Sequence, residues 1–237
     1  MRIRAITFDL DDTLWPIAPA MLLAERHLHD WLQAHCPRSA AAYPIEAMRT
    51  LRDRVAADHP HLSHDFSAQR RLSLRAALLP HGYAETHVEQ AFGAFYAGRN
   101  RVECYADSLP ALERLAARFP LAAITNGNAD LDAIGLSRYF RFSLRASDFG
   151  KAKPAPAIFH AACAQLGLAP TEVLHVGDDP ALDVVGAHQA GLHSAWLNRN
   201  GVAWASLPQA AQAQADLIVR DLAELADQVE TFAACVD

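Results

Sequence analysis

Residues 6–15, reading I-T-F-D-L-D-D-T-L-W, constrain this chain more than any other stretch. Ile3, Ala5, Ile6 and Phe8 form an almost unbroken apolar run, the pattern of a strand buried on both faces of a parallel sheet. The run stops abruptly at Asp9, Asp11 and Asp12. Open α/β sheets bind their ligands at the carboxyl ends of the strands, so carboxylates there are candidates for chemistry. An aspartate-rich turn with Thr13 as a helix cap would use the same residues, and only the rest of the chain separates the two readings.

Residues 16–98 have a different character. Pro16, Pro19, Pro37, Pro44, Pro60 and Pro80 cut them into short helical pieces, and no strand pattern appears. Met21, Ala24, Leu28, Trp31 and Leu32 share one helical face; Val88, Ala91, Phe92, Phe95 and Tyr96 share another. The pattern predicts an all-helical domain over 16–98, inserted after the first strand. Residues 1–15 and 99–237 are left for an α/β core.

From Val102 strands and helices alternate. A stripe of Leu112, Leu115, Ala116 and Phe119 ends at Pro120, and residues 121–125 read as a buried strand running into Asn126-Gly127. Pro156 starts a helix that Gly167 stops, and Val173, Leu174 and Val176 make the next strand. A helix is expected from Pro180 to Gly191, strands at 194–197 and 217–219, and a last helix from Leu222 to about Phe232. Asp221 and Glu224 have capping-box spacing, and the alanine-rich residues 209–215 read as a surface helix or loop.

Composition narrows the function classes. With 51% apolar and 20% charged residues, the 237-residue chain reads as a soluble globular protein with one sizeable core, or a core plus a small accessory domain. A net charge of -6 argues against a nucleic-acid surface, which needs a basic patch, and points to a small ligand. Cys36, Cys104, Cys163 and Cys235 are too scattered for a zinc site or a disulfide framework. No signal core or membrane-spanning run is visible, so cytoplasmic location is expected, with no membrane partner.

Four polar segments end buried strands or precede helices, in the order Asp9/Asp11, Thr125/Asn126, Lys153 and Asp178/Asp183. Asp9-Leu10-Asp11-Asp12-Thr13, Ile124-Thr125-Asn126-Gly127, Lys153-Pro154 and Gly177-Asp178 through Asp183 match, in order, the four motifs of the haloacid dehalogenase superfamily of phosphohydrolases, which the chain resembles. The resemblance implies a Rossmann-like parallel-sheet core with an inserted helical cap. It implies Asp9 as nucleophile, Asp11 as general acid and base, and Thr125, Asn126 and Lys153 as phosphate-binding groups. It also implies Mg²⁺ held by the Asp9 carboxylate, the Asp11 backbone carbonyl and Asp178. Asp183 would act through water, orient Lys153, or only stabilise a helix N-terminus.

The chemistry suits those residue types. Phosphate ester hydrolysis needs an in-line nucleophile, a proton donor for the leaving oxygen and positive charge around a dianion. A carboxylate attacking phosphorus divides the reaction into two easier steps, and one positioned carboxyl can protonate the leaving alcohol and then deprotonate water. Clustered carboxylates repel a phosphate, and a hard divalent cation removes that repulsion.

Within the superfamily the chain is similar to a bacterial branch acting on FMN and on the phosphorylated ribitylaminouracil of riboflavin biosynthesis. The similarity runs through residues 124–128, 144–154 and 174–179. The expected ligand is thus a small-molecule phosphate monoester, and the chain a monomer or homodimer. A nucleotide or sugar-phosphate phosphatase and a phosphomutase use the same motifs. Dehalogenases of the superfamily use no metal and lack the second aspartate of the first motif, so Asp11 and Asp178 count against that chemistry. A metabolite-binding or phospho-accepting regulatory protein is the alternative outside enzymes.

Several residues carry weaker expectations. Trp15, His64, Asp65 and Arg70, with Gln69 and Arg71 beside the last, are the candidates for substrate selection, although a solvated loop and a basic helix face would look the same. His59, His61 and His64 lack helical metal-site spacing and read as an exposed or substrate-facing loop. Lys151 reads as a solvated competitor of Lys153, and Asp179, preceding Pro180, as a helix N-cap.

Overall fold

The apolar runs assemble into one parallel sheet in a computed structural model that describes residues 2–208 and 213–234. Its strands are β1 (Ala5–Phe8), β2 (Leu121–Thr125), β3 (Ser143–Arg145), β4 (Val173–Gly177), β5 (His193–Leu197) and β6 (Leu217–Val219). They lie in the order β3-β2-β1-β4-β5-β6. Every residue of β1, β2 and β4 is buried, as their largely apolar sequences require of strands covered on both faces, with Thr7 and His175 the polar exceptions inside β1 and β4. The edge strands β3 and β6 alternate in burial instead. β3 has no counterpart in the sequence reading, because a three-residue strand with Leu144 as its one buried side chain is too short to display a period.

The chain order reverses at β1, which pairs with β2 on one side and β4 on the other. Phe8 stands opposite both Ala123 and Val176, so the strands carrying the first, second and fourth motifs end at nearly the same level. That is the position where such sheets bind ligands.

The chain divides into two compact units: Met1–Pro16, Cys104–Gly127 and Gly135–Asp237 form one, and Ile17–Glu103 with Asn128–Ile134 the other. The second unit is built on α1 (Ile17–His35), α2 (Pro37–Ala42), α3 (Ile45–Asp58), α4 (Phe66–Leu78) and α5 (Glu85–Arg99). The two apolar faces legible in the sequence meet there. Ala24, Leu28 and Leu32 of α1 pack into one core with Leu74 and Leu78 of α4 and with Val88, Ala91, Phe92 and Phe95 of α5. A Cβ on Gly98 would stand 2.7 Å from the Ala24 Cα, so α1 and α5 approach where neither presents a large side chain. Residues 128–134 group with these helices through Asn128 Nδ2 donating to Ser67 Oγ at 3.1 Å and the Asp130 N–H donating to Asn100 Oδ1 at 2.9 Å.

In the sheet-bearing unit, α6 (Ser108–Ala116) buries Leu112 and Leu115, and α7 (Pro156–Leu166) ends at Gly167 with φ 67°, the left-handed conformation that glycine supplies cheaply. α8 (Leu222–Ala234) closes the chain. Its expected capping box forms by half: the Asp221 carboxylate accepts from the Glu224 N–H, but the Glu224 side chain accepts from the Arg220 N–H. The continuous helix expected from Pro180 is instead a π-helical turn (Pro180–Val185) followed by one short helix (Gly186–Gln189). Of the alanine-rich residues 209–215, 209–212 lie outside the described residues. Residues 213–215 form a loop in which Gln214 is exposed and Ala213 half-buried, while Ala215 turns inward and is buried. Among the described residues no helix is long and apolar enough to cross a membrane.

Candidate active site

Asp9 leaves β1 with its N–H bonded to the Val176 carbonyl at 2.8 Å, so the first residue past the strand is still fixed by β4. The chain then folds back tightly. Asp12 adopts φ 58°, its N–H reaches the Trp15 carbonyl, and the Leu14 N–H reaches the Leu10 carbonyl. Aspartate tolerates that left-handed backbone better than most residues. Trp15 is fully buried and donates its indole N–H to Asp11 Oδ1 at 2.9 Å, which orients the Asp11 carboxylate. Thr13 is no helix cap, since α1 begins only at Ile17. Its hydroxyl faces Asp9 Oδ2 and Asp178 Oδ1 at 3.4 and 3.3 Å.

Lys153 is the centre of the charge arrangement. Its ammonium lies 2.6 Å from Asp9 Oδ1 and 2.6 Å from Asp183 Oδ1, and all three side chains are withdrawn from solvent. Lys151 is exposed. Asn126 fixes the lysine backbone with both ends of its amide: Nδ2 donates to the Lys153 carbonyl at 3.0 Å and Oδ1 accepts from the Lys153 N–H at 2.8 Å. The Asn126 side chain thus positions Lys153. Thr125 is buried at the end of β2, and its hydroxyl oxygen accepts from the Gly127 N–H at 2.9 Å, which leaves the hydroxyl hydrogen for a further acceptor.

Asp183 does more than stabilise a helix terminus. Oδ1 is shared by Lys153 and by His175 Nε2 at 3.0 Å, and Oδ2 accepts from the Asp179 N–H at 3.0 Å. The helix-capping part falls to Asp179, whose Oδ1 accepts from the N–H groups of Ala181 and Leu182. Asp183 can come this close to β4 because residue 177 has no side chain. A Cβ there would stand 2.1 Å from Asp183 Cγ.

The electrostatics follow from one cation among several acids. Burial and the neighbouring carboxylates Asp183 and Asp178 hold the Asp9 carboxyl well above its usual range, against the pull of Lys153. Burial, with Asp183 and Asp12 nearby, pushes Asp178 up to about 7. Burial works against Asp183 too, but Lys153 and His175 outweigh it and keep that carboxyl ionised far below the usual range. Burial alone would lower Lys153, yet the two carboxylates hold it firmly protonated.

Asp9, Asp178 and Asp183 each offer an oxygen within 4.8 Å of the others. The donors are all carboxylate, the chemistry of a hard divalent cation. Both Asp183 oxygens already accept short hydrogen bonds, whereas Asp9 Oδ2 and Asp178 Oδ1 face the Thr13 hydroxyl at 3.4 and 3.3 Å. The residues therefore fit a cation held by Asp9 and Asp178, with Asp183 behind them.

Of the residues expected to select substrate, Trp15 bonds Asp11, and others have partners within their own helical unit. Asp65 is the N-cap of α4, accepting from the Ala68 N–H at 2.8 Å, and Gln69 donates to the Leu62 carbonyl. Arg70 is 3% exposed, with its guanidinium 4.1 Å from the centre of the Phe95 ring, and Arg71 stacks on Phe92 and pairs with Glu89. His64 is half-buried, and the His59 and His61 rings meet edge to face. The sequence reading missed His175, Thr7 and the clamp made by Asn126. An imidazole inside the otherwise apolar Leu174-His175-Val176 is the signal that was available for the first of these.

Comparison with known proteins agrees with this geometry. A family model described as haloacid dehalogenase-like hydrolase matches residues 3–191. The chain is 36% identical, over 83% of its length and 84% of the relative's, to the 5-amino-6-(5-phospho-D-ribitylamino)uracil phosphatase YigB of Escherichia coli. It is 33% identical, over 66% of its length and 63% of the relative's, to a phosphoserine phosphatase of Thermus thermophilus. A solved structure titled 2-haloacid dehalogenase, from Pseudomonas syringae pv. Tomato, superposes with a TM-score of 0.86 at 38% identity, covering 97% of this chain and 99% of that one. With three motifs at the ends of adjacent strands, Lys153 of the remaining one bonded to Asp9 and Asp183, and a family model spanning most of its length, the chain belongs to the haloacid dehalogenase-like hydrolases.

Proposed function

We propose that this chain is a Mg²⁺-dependent phosphatase that hydrolyses a small phosphate monoester through an aspartyl phosphate on Asp9. Its proposed substrate is a ribityl phosphate, FMN or 5-amino-6-(5-phospho-D-ribitylamino)uracil. The observation that carries the phosphatase reading is the buried Lys153 ammonium fixed between Asp9 and Asp183, beside a pair of carboxylates suited to a divalent cation. The ribityl assignment rests on the similarity to the Escherichia coli phosphatase.

The residues divide the work. Asp9 attacks phosphorus, and the bond to the leaving oxygen breaks as Asp11, oriented by the Trp15 indole, delivers a proton to it. Lys153 and the Thr125 hydroxyl face the phosphoryl oxygens and stabilise the charge spread over them. Asp11 then removes a proton from water, which attacks the aspartyl phosphate and returns phosphate and free Asp9. Asp9 and Asp178 would hold Mg²⁺, which would supply positive charge to offset the repulsion between a dianionic group and the nucleophile.

A second reading, dehalogenation of a 2-haloacid, is favoured by the name of the structural neighbour from Pseudomonas syringae. Asp11 and Asp178 have no task in that reaction, which supports the phosphatase. The test is a panel of FMN, phosphoribitylaminouracil, nucleoside monophosphates, sugar phosphates, phosphoglycolate and a 2-chloro acid. The highest kcat/KM is expected on a ribityl phosphate, with loss of turnover on chelation and in Asp9→Asn. Halide release without phosphate release would overturn the phosphatase. Preference for a plain sugar phosphate or nucleotide would overturn the ribityl assignment alone.

A further inference from the structure

Thr7 on β1 and His175 on β4 stand directly opposite each other in the sheet, and neither touches solvent. Side chains two residues apart on a strand share a face, so Thr7 lies on the Asp9 side of β1 and His175 on the Gly177 side of β4. Both ring nitrogens of His175 have a partner: Nδ1 is 2.9 Å from Thr7 Oγ1, and Nε2 is 3.0 Å from Asp183 Oδ1. A carboxylate only accepts, so Nε2 must carry the hydrogen. The ring is buried beside the Lys153 cation, which disfavours a second proton and holds it neutral. Nδ1 is then a lone pair, and the Thr7 hydroxyl must donate to it.

We propose that Thr7 and His175 are positioning residues: Thr7 anchors the ring through Nδ1, His175 holds Asp183 through Nε2, and together they set how the Lys153 ammonium is shared between Asp183 and the nucleophile Asp9. The hydrogen bonds form a continuous series from Thr7 through His175, Asp183 and Lys153 to Asp9. His175 and Lys153 compete for the same oxygen, Asp183 Oδ1. By donating there, His175 weakens the hold of Asp183 on the ammonium and leaves more of its charge for Asp9 and the phosphoryl group. Without the Thr7 hydroxyl, the buried Nδ1 lone pair loses its donor, and the ring loses one of the two hydrogen bonds that hold it against Asp183 Oδ1.

The kinetic part of this proposal rests on the phosphatase reading; the ring-proton part does not. The experiment therefore has two arms on the full chain. In the first, nitrogen NMR of the histidine rings near neutral pH should show His175 neutral, with Nε2 protonated and Nδ1 bare, and Thr7→Val should shift its Nδ1 signal. An Nδ1-protonated or doubly protonated ring overturns the proposal whatever the enzyme's substrate. In the second, kcat on an aryl phosphate should fall about 10–100-fold in His175→Leu. Thr7→Val should fall in the same direction by a smaller factor. His175→Gln, whose amide nitrogen can replace the Nε2 donor, should recover to within a few-fold of wild type. A merely structural role predicts lower Tm with unchanged kcat per folded molecule, and that result also overturns it. If His175→Leu does not fold, the Thr7→Val and His175→Gln pair decides. If the wild-type chain releases no phosphate from any ester, the functional reading fails, and the first arm still decides the tautomer.

Discussion

Gly177→Ala is a one-carbon test of whether the Asp183 position matters. The residue does not use the left-handed backbone region, so alanine meets no conformational penalty there, and the whole effect must come from space. The new Cβ would meet Asp183 Cγ at 2.1 Å and Oδ2 at 2.2 Å, and ordinary contact begins at 3.4 Å. Asp183 must therefore retreat by about 1.3 Å, which takes a 2.6 Å bond to Lys153 beyond hydrogen-bonding range. Breaking a buried ion pair so that one charge is left behind costs about 3–5 kcal/mol, and Lys153 keeps Asp9 as a partner, so the lower end of about 3 kcal/mol applies. At about 2–4 °C per kcal/mol for a chain of this size, Tm should drop by about 6–12 °C.

Activity should suffer alongside stability, because a misplacement of about 1 Å in supporting groups can cost about 100-fold in rate. Calorimetry and steady-state phosphate release measure the two effects separately. Gly93→Ala in α5, where the added carbon would meet nothing within 4 Å, is the control and should be neutral or slightly stabilising. A Gly177→Ala protein with Tm within about 2 °C of wild type and kcat within about threefold would refute the reasoning. It would mean that Asp183 can move without consequence.

Two further outcomes are expected. Asp178 has a folded pKa raised to about 7, so its contribution to stability is present at acid pH and is lost as pH rises from about 4 through 7; Asp9 acts in the same direction. Buried His175, with its pKa lowered, opposes them around neutrality, so the quantity to measure is the difference in Tm between Mg²⁺ and chelator at each pH. That difference should grow from pH 5 to pH 8, and a flat profile would contradict a metal held by Asp9 and Asp178. In Asp11→Asn the remaining amide oxygen can still accept from Trp15, so the fold should persist while leaving-group protonation fails. Hydrolysis of alkyl phosphates should fall at least about tenfold more than that of activated aryl phosphates, and equal losses would remove Asp11 from the general-acid role.

The features legible in the sequence are those carried by neighbours along the chain. The runs that became β1, β2 and β4 are largely apolar segments, and each ends in polar residues within one or two positions, so strand, exit and candidate chemistry are read together. The helical faces of α1 and α5 are equally local, since a 3.6-residue period fixes which side chains point inward. Asp9, Asp11, Thr125, Lys153 and Asp178 could be singled out on that basis. The choice of Lys153 over Lys151 comes from the resemblance, since Pro154 and the helix behind it match the family pattern.

Tertiary structure decided what those residues touch. Thr7 and His175 are 168 positions apart, and only strand register places them face to face. The role of Gly177 is set by a side chain that arrives from the following π-helical turn, which no hydrophobic period announces. A charged residue in sequence carries no mark of its partner, so only the folded chain shows Arg70 over the Phe95 ring and Asp65 as the cap of α4. Periodicity specifies which way a side chain points along its own element, but pairing between elements depends on register and close approach, and those exist only once the chain has folded.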